Sequence, residues 1–119
     1  MLARSAFAPR KKNAPRPAWK VAEAFKQWLR GRPCACAGRN PDCGGPVQAA
    51  HAGEMGDTGT GTKAADRLCI PLTANCHRLQ HDKGWPWFEA NMLRMTRRQA
   101  TDAYWRAWPG RAKWEADRG

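Results

Sequence analysis

This chain has few acidic residues and no long apolar run. It carries 10 Asp and Glu against 21 Lys and Arg, a formal net charge of +11. Such an excess indicates a polyanionic partner, because each neutralised phosphate releases counterions. Nucleic acid is the first candidate and an anionic membrane surface the second. No stretch approaches the roughly 20 apolar residues that a membrane-spanning helix needs, which argues against an integral membrane protein.

The sequence is not expected to carry a secretory signal. The first 20 residues contain neither an apolar segment nor a cleavage-like site. Without export, disulfides are not expected to persist, so the five cysteines are interpreted as metal ligands or buried thiols. The expected location is therefore the cytoplasm.

The length of 119 residues suits one domain. Residues 1–17 place basic side chains among prolines and have almost nothing to bury, which predicts a flexible arm. This arm either follows a phosphate backbone, through Arg10, Lys11 and Lys12, or only aids solubility. Residues 18–119 are predicted to form a single domain, with its core at about 34–88 and C-terminal helices at 86–117.

Hydrophobic spacing places the secondary structure. Val21, Phe25, Trp28 and Leu29 recur at helical intervals and predict a helix over 18–30. Short strands are predicted at 47–51 and 68–72, on either side of a Gly-rich loop. Capping residues predict a helix at about 75–82 that follows the second strand, and another that follows Thr96.

Two histidines stand four residues apart on the predicted helix at 75–82. His77 and His81 therefore project to the same side and could hold one divalent cation. A surface helix that carries two histidines by chance is the plainer alternative. His51 ends the first predicted strand, and the hairpin can return it to the neighbourhood of this helix. A strand–loop–strand–helix unit with these residues is typical of the ββα-metal arrangement.

The segments AAH and GTGTKAADRLCIPLTANCHRLQHDKGWPWF resemble HNH nucleases of phages and prophages. Among these nucleases, the chain is similar to the RecA-dependent recombination-enhancement nuclease group, and the similarity covers residues 34–88. The resemblance implies an α+β fold: a ββα-metal HNH core with a Cys-rich zinc knuckle and flanking helices. It also implies metal-dependent hydrolysis of DNA phosphodiester bonds in a bacterial host cell, linked to recombination.

The resemblance assigns roles by position. His51 becomes the general base that activates water, while His77 and His81 hold Mg²⁺, Mn²⁺ or Ni²⁺. Many HNH sites place a metal ligand immediately before the histidine of the first strand, and here that residue is Ala50. His51 is accordingly the base, which we favour, or itself a ligand.

The third metal ligand is less clear than the other two. Asp66 is the best acidic candidate, with Glu54 and Asp57 behind it. Asp66 also lies closest to where the residue that orients the base would fall. The sequence leaves both roles open.

Three cysteines precede the first strand and a fourth precedes His77. Together they supply a tetrahedral thiolate set for a structural Zn²⁺, although Cys-x-Cys replaces the usual Cys-x-x-Cys. The predicted ligands are Cys34, Cys36, Cys43 and Cys76. Cys69 falls in a predicted buried strand and is interpreted as an apolar filler.

Basic residues near the predicted hairpin are candidate phosphate contacts, or else plain surface charges. They are Lys63, Arg67 and Arg78. The C-terminal arginines (Arg94, Arg97, Arg98 and Arg106) form a possible second DNA-facing surface. Core packing is the favoured role for Trp28, Trp85 and Trp87, and the remaining C-terminal tryptophans stay unassigned.

Two alternative functions fit the same sequence. The first is a catalytically degenerate, zinc-stabilised nucleic-acid-binding module, which Ala50 keeps open. The second is a recombination accessory protein that docks through its Trp-rich helices. The expected partners are DNA and, beyond it, a recombinase filament or another phage protein.

Overall fold

A computed structural model describes the chain at residues 18, 21–53 and 65–118. This part is an α+β fold with a two-stranded antiparallel sheet and five α-helices, in the predicted order. The elements are α1 (Glu23–Arg30), β1 (Val47–His51), a 3₁₀ turn (Asp66–Leu68), β2 (Cys69–Thr73), α2 (Ala74–Lys83), α3 (Trp85–Phe88), a π-helical turn (Glu89–Leu93), α4 (Arg97–Ala107) and α5 (Arg111–Arg118). The predicted basic arm and most of the Gly-rich loop lie outside the described residues. None of the described helices is long and apolar enough to cross a membrane.

The two strands pair in a register that runs from Val47 opposite Thr73 to His51 opposite Cys69. All five residues of β2 are buried, since this strand has packing partners on both faces. Pro71 cannot donate a hydrogen bond to the sheet, but its carbonyl accepts one from the Ala35 N–H at 2.8 Å. The cysteine-rich segment therefore lies along the outer edge of β2. Both strands confirm the prediction to within one residue.

Helix α2 follows β2 without a connecting loop. The Thr73 hydroxyl caps it by accepting a hydrogen bond from the Cys76 N–H at 3.4 Å, as the sequence predicts. Gly84 ends it with φ at 89°, a conformation that favours glycine. Because its first residue is bonded to the end of the sheet, α2 holds its side chains in a fixed position over the hairpin.

Helix α1 starts later than predicted, at Glu23 rather than at 18. The Ala22 N–H donates to the Asp66 carboxylate at 2.9 Å, so a distant side chain satisfies the start of the helix. Phe25 and Leu29 form its buried stripe. A tertiary contact, not a local capping residue, therefore sets this boundary.

Apolar side chains pack on both faces of the hairpin. One cluster lies against α2 and the π-helical turn and contains Ala50, Ile70, Cys76 and Phe88. The other lies against α1, where Phe25 contacts Trp105 and Trp108, each 8% exposed. The three tryptophans predicted for the core pack against these clusters but are only partly buried. Among the described tryptophans, the most buried are thus ones that the sequence left unassigned.

Candidate functional site

Four cysteines come together where the cysteine-rich segment meets the start of α2. The sulfur atoms of Cys34, Cys36, Cys43 and Cys76 all lie within 4.8 Å of one another. Within the described part of the chain, this is the one group of three or more potential metal ligands that is so closely spaced. The structure therefore confirms the predicted cluster and positions it to hold a metal ion. A tetrahedral set of four thiolates suits Zn²⁺ or iron.

Polar neighbours surround these sulfur atoms. The Thr73 N–H donates to Cys34 Sγ at 3.4 Å, and the Asn40 side-chain amide donates to Cys76 Sγ at 3.2 Å. The Thr73 hydroxyl lies 3.2 Å from Cys43 Sγ. Donors of this kind stabilise negatively charged sulfur, the form that binds metal. Neither Thr73 nor Asn40 was predicted from the sequence to lie beside the sulfur atoms.

The thiols of the cluster differ in acidity. Burial raises the pKa of Cys34, and it raises the pKa of Cys76 to about 12. Burial acts in the same direction on Cys36, but hydrogen bonds from the backbone of Asn40 and Gly38 outweigh it and lower the pKa to about 7. The cluster consequently holds protons near neutral pH, and a cation would have to displace them.

Cys69 is separate from this cluster. It is fully buried in β2 and packs in the apolar cluster beneath α1. It is not one of the four grouped cysteines. Its predicted position in a buried strand is confirmed.

The two histidines of α2 lie side by side, as their spacing predicts. The ring centroids of His77 and His81 are 4.9 Å apart. Gln48 on β1 lies against them, with its Oε1 atom 2.7 Å from His77 Nδ1. Gln48 was not identified from the sequence, although it is an exposed polar residue in a short strand that is otherwise largely apolar.

His77 is less basic than an ordinary histidine. Burial lowers its pKa below 6.5, and the positive charges of His81 and His51 lower it further. His77 is therefore within electrostatic range of both other histidines of the chain. At neutral pH its ring is uncharged, which is the form that binds a metal ion.

His51 faces a buried carboxylate at the end of β1. Its Nε2 atom lies 3.3 Å from Asp66 Oδ1, and the Asp66 side chain is 1% exposed. The other oxygen, Oδ2, accepts the hydrogen bond from Ala22 and lies 3.7 Å from the Lys26 ammonium. The His51 ring on β1 and two groups at the start of α1, the Ala22 N–H and the Lys26 ammonium, therefore offset the cost of burying this charge.

The acidic metal ligand predicted from sequence is not assembled with the histidines of α2. No group of three described ligands that includes Asp66, His77 and His81 lies within the 4.8 Å that the cysteines show. The carboxylate instead faces His51, Lys26 and Ala22. A metal-binding role for Asp66 stays a prediction, and the orienting role is the one that its contacts favour.

The structure describes some of the remaining predicted site residues and not others. Arg67 is exposed in the 3₁₀ turn directly after Asp66, and Arg78 is exposed on α2 beside His77. Ala50 is fully buried in the apolar cluster. Predicted residues that lie outside the described ranges are Arg10, Lys11, Lys12, Glu54, Asp57 and Lys63.

The fold and this site define an α+β domain in which the cysteine-rich segment and helix α2 meet at a four-cysteine cluster. Residues 9–101 match a family described as a protein of unknown function, DUF968. The match spans more than half of the chain, and the protein belongs to this family. No curated protein and no solved structure matches it.

Proposed function

We propose that this protein is a metal-dependent endonuclease of the HNH type, encoded by a phage or prophage, that hydrolyses DNA phosphodiester bonds. The observation that carries the proposal is the pairing of His51 with the buried Asp66, on the hairpin whose following helix presents His77 and His81. In this proposal β1, β2 and α2 form the ββα-metal core. The net charge of +11 supports a polyanionic substrate.

His77 and His81 are the residues that would hold the catalytic cation. Imidazole ligands suit Mn²⁺, Ni²⁺ or Zn²⁺ better than Mg²⁺, so we expect the strongest activity with the transition metals. Gln48 accepts a hydrogen bond from His77 Nδ1, which leaves Nε2 as the ligand atom. When bound, the cation would stabilise the negative charge that develops on the phosphate and on the leaving oxygen.

His51 acts as the general base. With its Nε2 proton donated to Asp66, the ring carries its lone pair on Nδ1, which takes a proton from water. The water oxygen forms the new bond to phosphorus as the bond from phosphorus to the 3′ oxygen breaks. Asp66 then stabilises the imidazolium that results, and the fixed ring orientation lowers the entropic cost of the step.

The four cysteines would bind a structural Zn²⁺ at the opposite end of the hairpin from His51. Cys76 immediately precedes His77, and Cys34 and Cys36 belong to the segment along β2. A cation here would join that segment to the first turn of α2, which supports the position of His77. Structural zinc sites of this kind contribute directly to folding.

A second candidate function is a nucleic-acid-binding module without catalysis. The buried position of Ala50 favours it, because the residue that supplies a ligand in many HNH sites here packs in the core. Under this alternative, His51 and the two histidines of α2 are remnants of a site. Binding to DNA then persists while cleavage is absent with every cation.

The deciding experiment is cleavage of supercoiled plasmid and of single-stranded DNA by purified protein, with Mg²⁺, Mn²⁺, Ni²⁺ or a chelator. We expect nicking that requires the cation and is lost in His51→Ala and His81→Ala. Lys113→Ala, which changes an exposed residue of α5, is the matched control and should cleave normally. Zinc content and circular dichroism of each variant separate lost chemistry from lost folding. DNA binding with no cleavage in any cation, also after addition of a recombinase filament, would overturn the proposal in favour of the second candidate.

A further inference from the structure

A cleft of about 430 Å³ opens beside the end of β1. Its walls include Ala52, Gly53, Arg67, Leu68, Arg98 and Trp105. Ala52 directly follows His51 in the chain, and Arg67 directly follows Asp66. The Ala52 N–H also donates to the Leu68 carbonyl at 2.7 Å, which joins the two walls. One side of the cleft is thus built from the residues that follow His51 and Asp66, and the other side from α4.

The charge in the cleft favours an anion. Arg67 and Arg98 are both exposed and contribute two guanidinium groups. The one carboxylate among the residues that line the cleft, Asp102, forms an ion pair with Arg106 at 3.1 Å. Arg106, which lies outside the cleft, therefore offsets part of its negative charge.

Position relative to the cleft distinguishes Arg98 from its neighbours on α4. Arg97 donates to the Glu89 carboxylate at 3.1 Å, and Arg106 is held by Asp102. Of these three arginines, Arg98 is the one that lines the cleft. The sequence grouped all of them into one basic surface, whereas the structure assigns them different neighbours.

We propose that this cleft binds one nucleotide of the DNA strand next to the bond that is cleaved. Arg67 and Arg98 contact its phosphates, and Leu68 and Trp105 line the part of the cleft that receives the sugar or base. A volume of about 430 Å³ falls within the roughly 300–1,000 Å³ typical of ligand clefts. This inference rests on the proposed function, because it places the nucleotide relative to His51.

Gln99 is the residue of the cleft best suited to discriminate between bases. It lines the cleft next to Arg98 in the chain, and its amide can donate and accept hydrogen bonds. Its side chain also accepts from the Thr96 N–H at 3.0 Å as part of the helix cap, so the amide is held in place. The cleft would thereby give the protein a base preference at one position.

The test measures DNA affinity without catalysis. A short fluorescein-labelled single-stranded DNA is titrated with protein in the absence of added divalent cation, at several salt concentrations. Arg67→Ala and Arg98→Ala should each raise Kd by about 5- to 10-fold and lower the salt-dependence slope by about one. Lys113→Ala removes the same charge from an exposed position and should change Kd by less than about twofold.

The outcomes separate this inference from the proposed nuclease activity. If Arg67→Ala and Arg98→Ala bind DNA more weakly but the wild-type protein does not cleave DNA with any cation, the cleft is supported and the nuclease is rejected. Cleavage in all variants, with Kd no weaker in Arg98→Ala than in Lys113→Ala, would reject the cleft and leave the nuclease intact. Sequencing of the cleavage products from Gln99→Ala gives a further readout, because a lost base preference at one position supports the assignment and an unchanged pattern contradicts it.

Discussion

His51 Nε2 and Asp66 Oδ1 lie 3.3 Å apart, with the histidine side chain 34% exposed and the carboxylate 1% exposed. At the end of β1, the His51 ring therefore reaches solvent while the Asp66 carboxylate lies in the interior. Asp66 is in turn held by the backbone of Ala22 and approached by Lys26, both from outside the hairpin. Helix α1 therefore takes part in fixing the orientation of His51, even though it contributes no residue to the proposed chemistry.

Replacing Asp66 by Asn should reduce catalysis much more than DNA binding. The amide keeps the shape of the side chain but removes the charge that orients and stabilises the His51 ring. We expect kcat for nicking to fall by about 10- to 100-fold with little change in Kd for DNA. Single-turnover cleavage and fluorescence anisotropy provide the two values.

The control for this variant is Asp117→Asn, which removes an exposed carboxylate that pairs with Lys113. It should leave kcat unchanged. If Asp66→Asn weakened cation affinity as strongly as it lowered kcat, Asp66 would be the third metal ligand rather than the orienting residue.

Gln48→Ala should weaken cation binding at the histidines of α2. The substitution removes the acceptor 2.7 Å from His77 Nδ1 and lets the ring rotate. Partners of metal-binding histidines typically change affinity by about 10- to 100-fold, and we expect a loss in that range for Mn²⁺ or Ni²⁺. Isothermal titration of the zinc-loaded protein measures it, with the exposed Gln27→Ala as the matched control. Equal affinity in the two variants would exclude this role for Gln48.

Cys43→Ala should lose the structural metal, whereas Cys69→Ala should retain it. Cys43 belongs to the four-cysteine cluster, and Cys69 is a buried cysteine outside it. We expect one zinc per chain in the wild type and in Cys69→Ala, measured by elemental analysis, and a strongly reduced content in Cys43→Ala. If both variants lost zinc equally, zinc binding would not depend specifically on the four-cysteine cluster.

Zinc affinity should also fall as the pH is lowered. The pKa values of Cys34 and Cys76 are raised, the latter to about 12, so both thiols must release protons when they bind metal. The pKa of Cys36 is about 7, so below this pH Cys36 is protonated as well and must release one more proton when it binds metal. The decline should therefore become steeper below pH 7. Competition with a chromogenic chelator between pH 6 and 8.5 measures this dependence, and affinity independent of pH would contradict it.

Phe25→Ala should destabilise the domain by about 3–5 kcal/mol, because it leaves a cavity among Trp28, Trp105 and Trp108. Urea unfolding followed by tryptophan fluorescence measures the change. Gln27→Ala on the exposed face of α1 should change stability by less than about 0.5 kcal/mol. A loss below about 1 kcal/mol for Phe25→Ala would mean that this cluster is not a packed core.

Local patterns in the sequence were sufficient for several parts of this protein. The spacing of His77 and His81 follows from helical geometry, and Thr73 and Thr96 both cap helices as their chemistry predicts. The cysteines could be grouped because the sequence led us to expect no disulfides, and thiols outside disulfides have few roles other than metal binding or packing. Each of these inferences depends on residues close together in the chain or on the residue type alone.

Tertiary structure decided what joins distant segments. The contact of Asp66 with His51 and Ala22 depends on how α1 packs across the hairpin, and no local pattern encodes that packing. Gln48 reaches His77 only because α2 turns back over β1. Trp105 and Trp108 enter the core because α4 returns to α1 from the other end of the chain. The sequence by itself determined the elements and the reactive residue types, whereas long-range packing determined which side chains meet, since those contacts depend on burial between segments far apart in the chain.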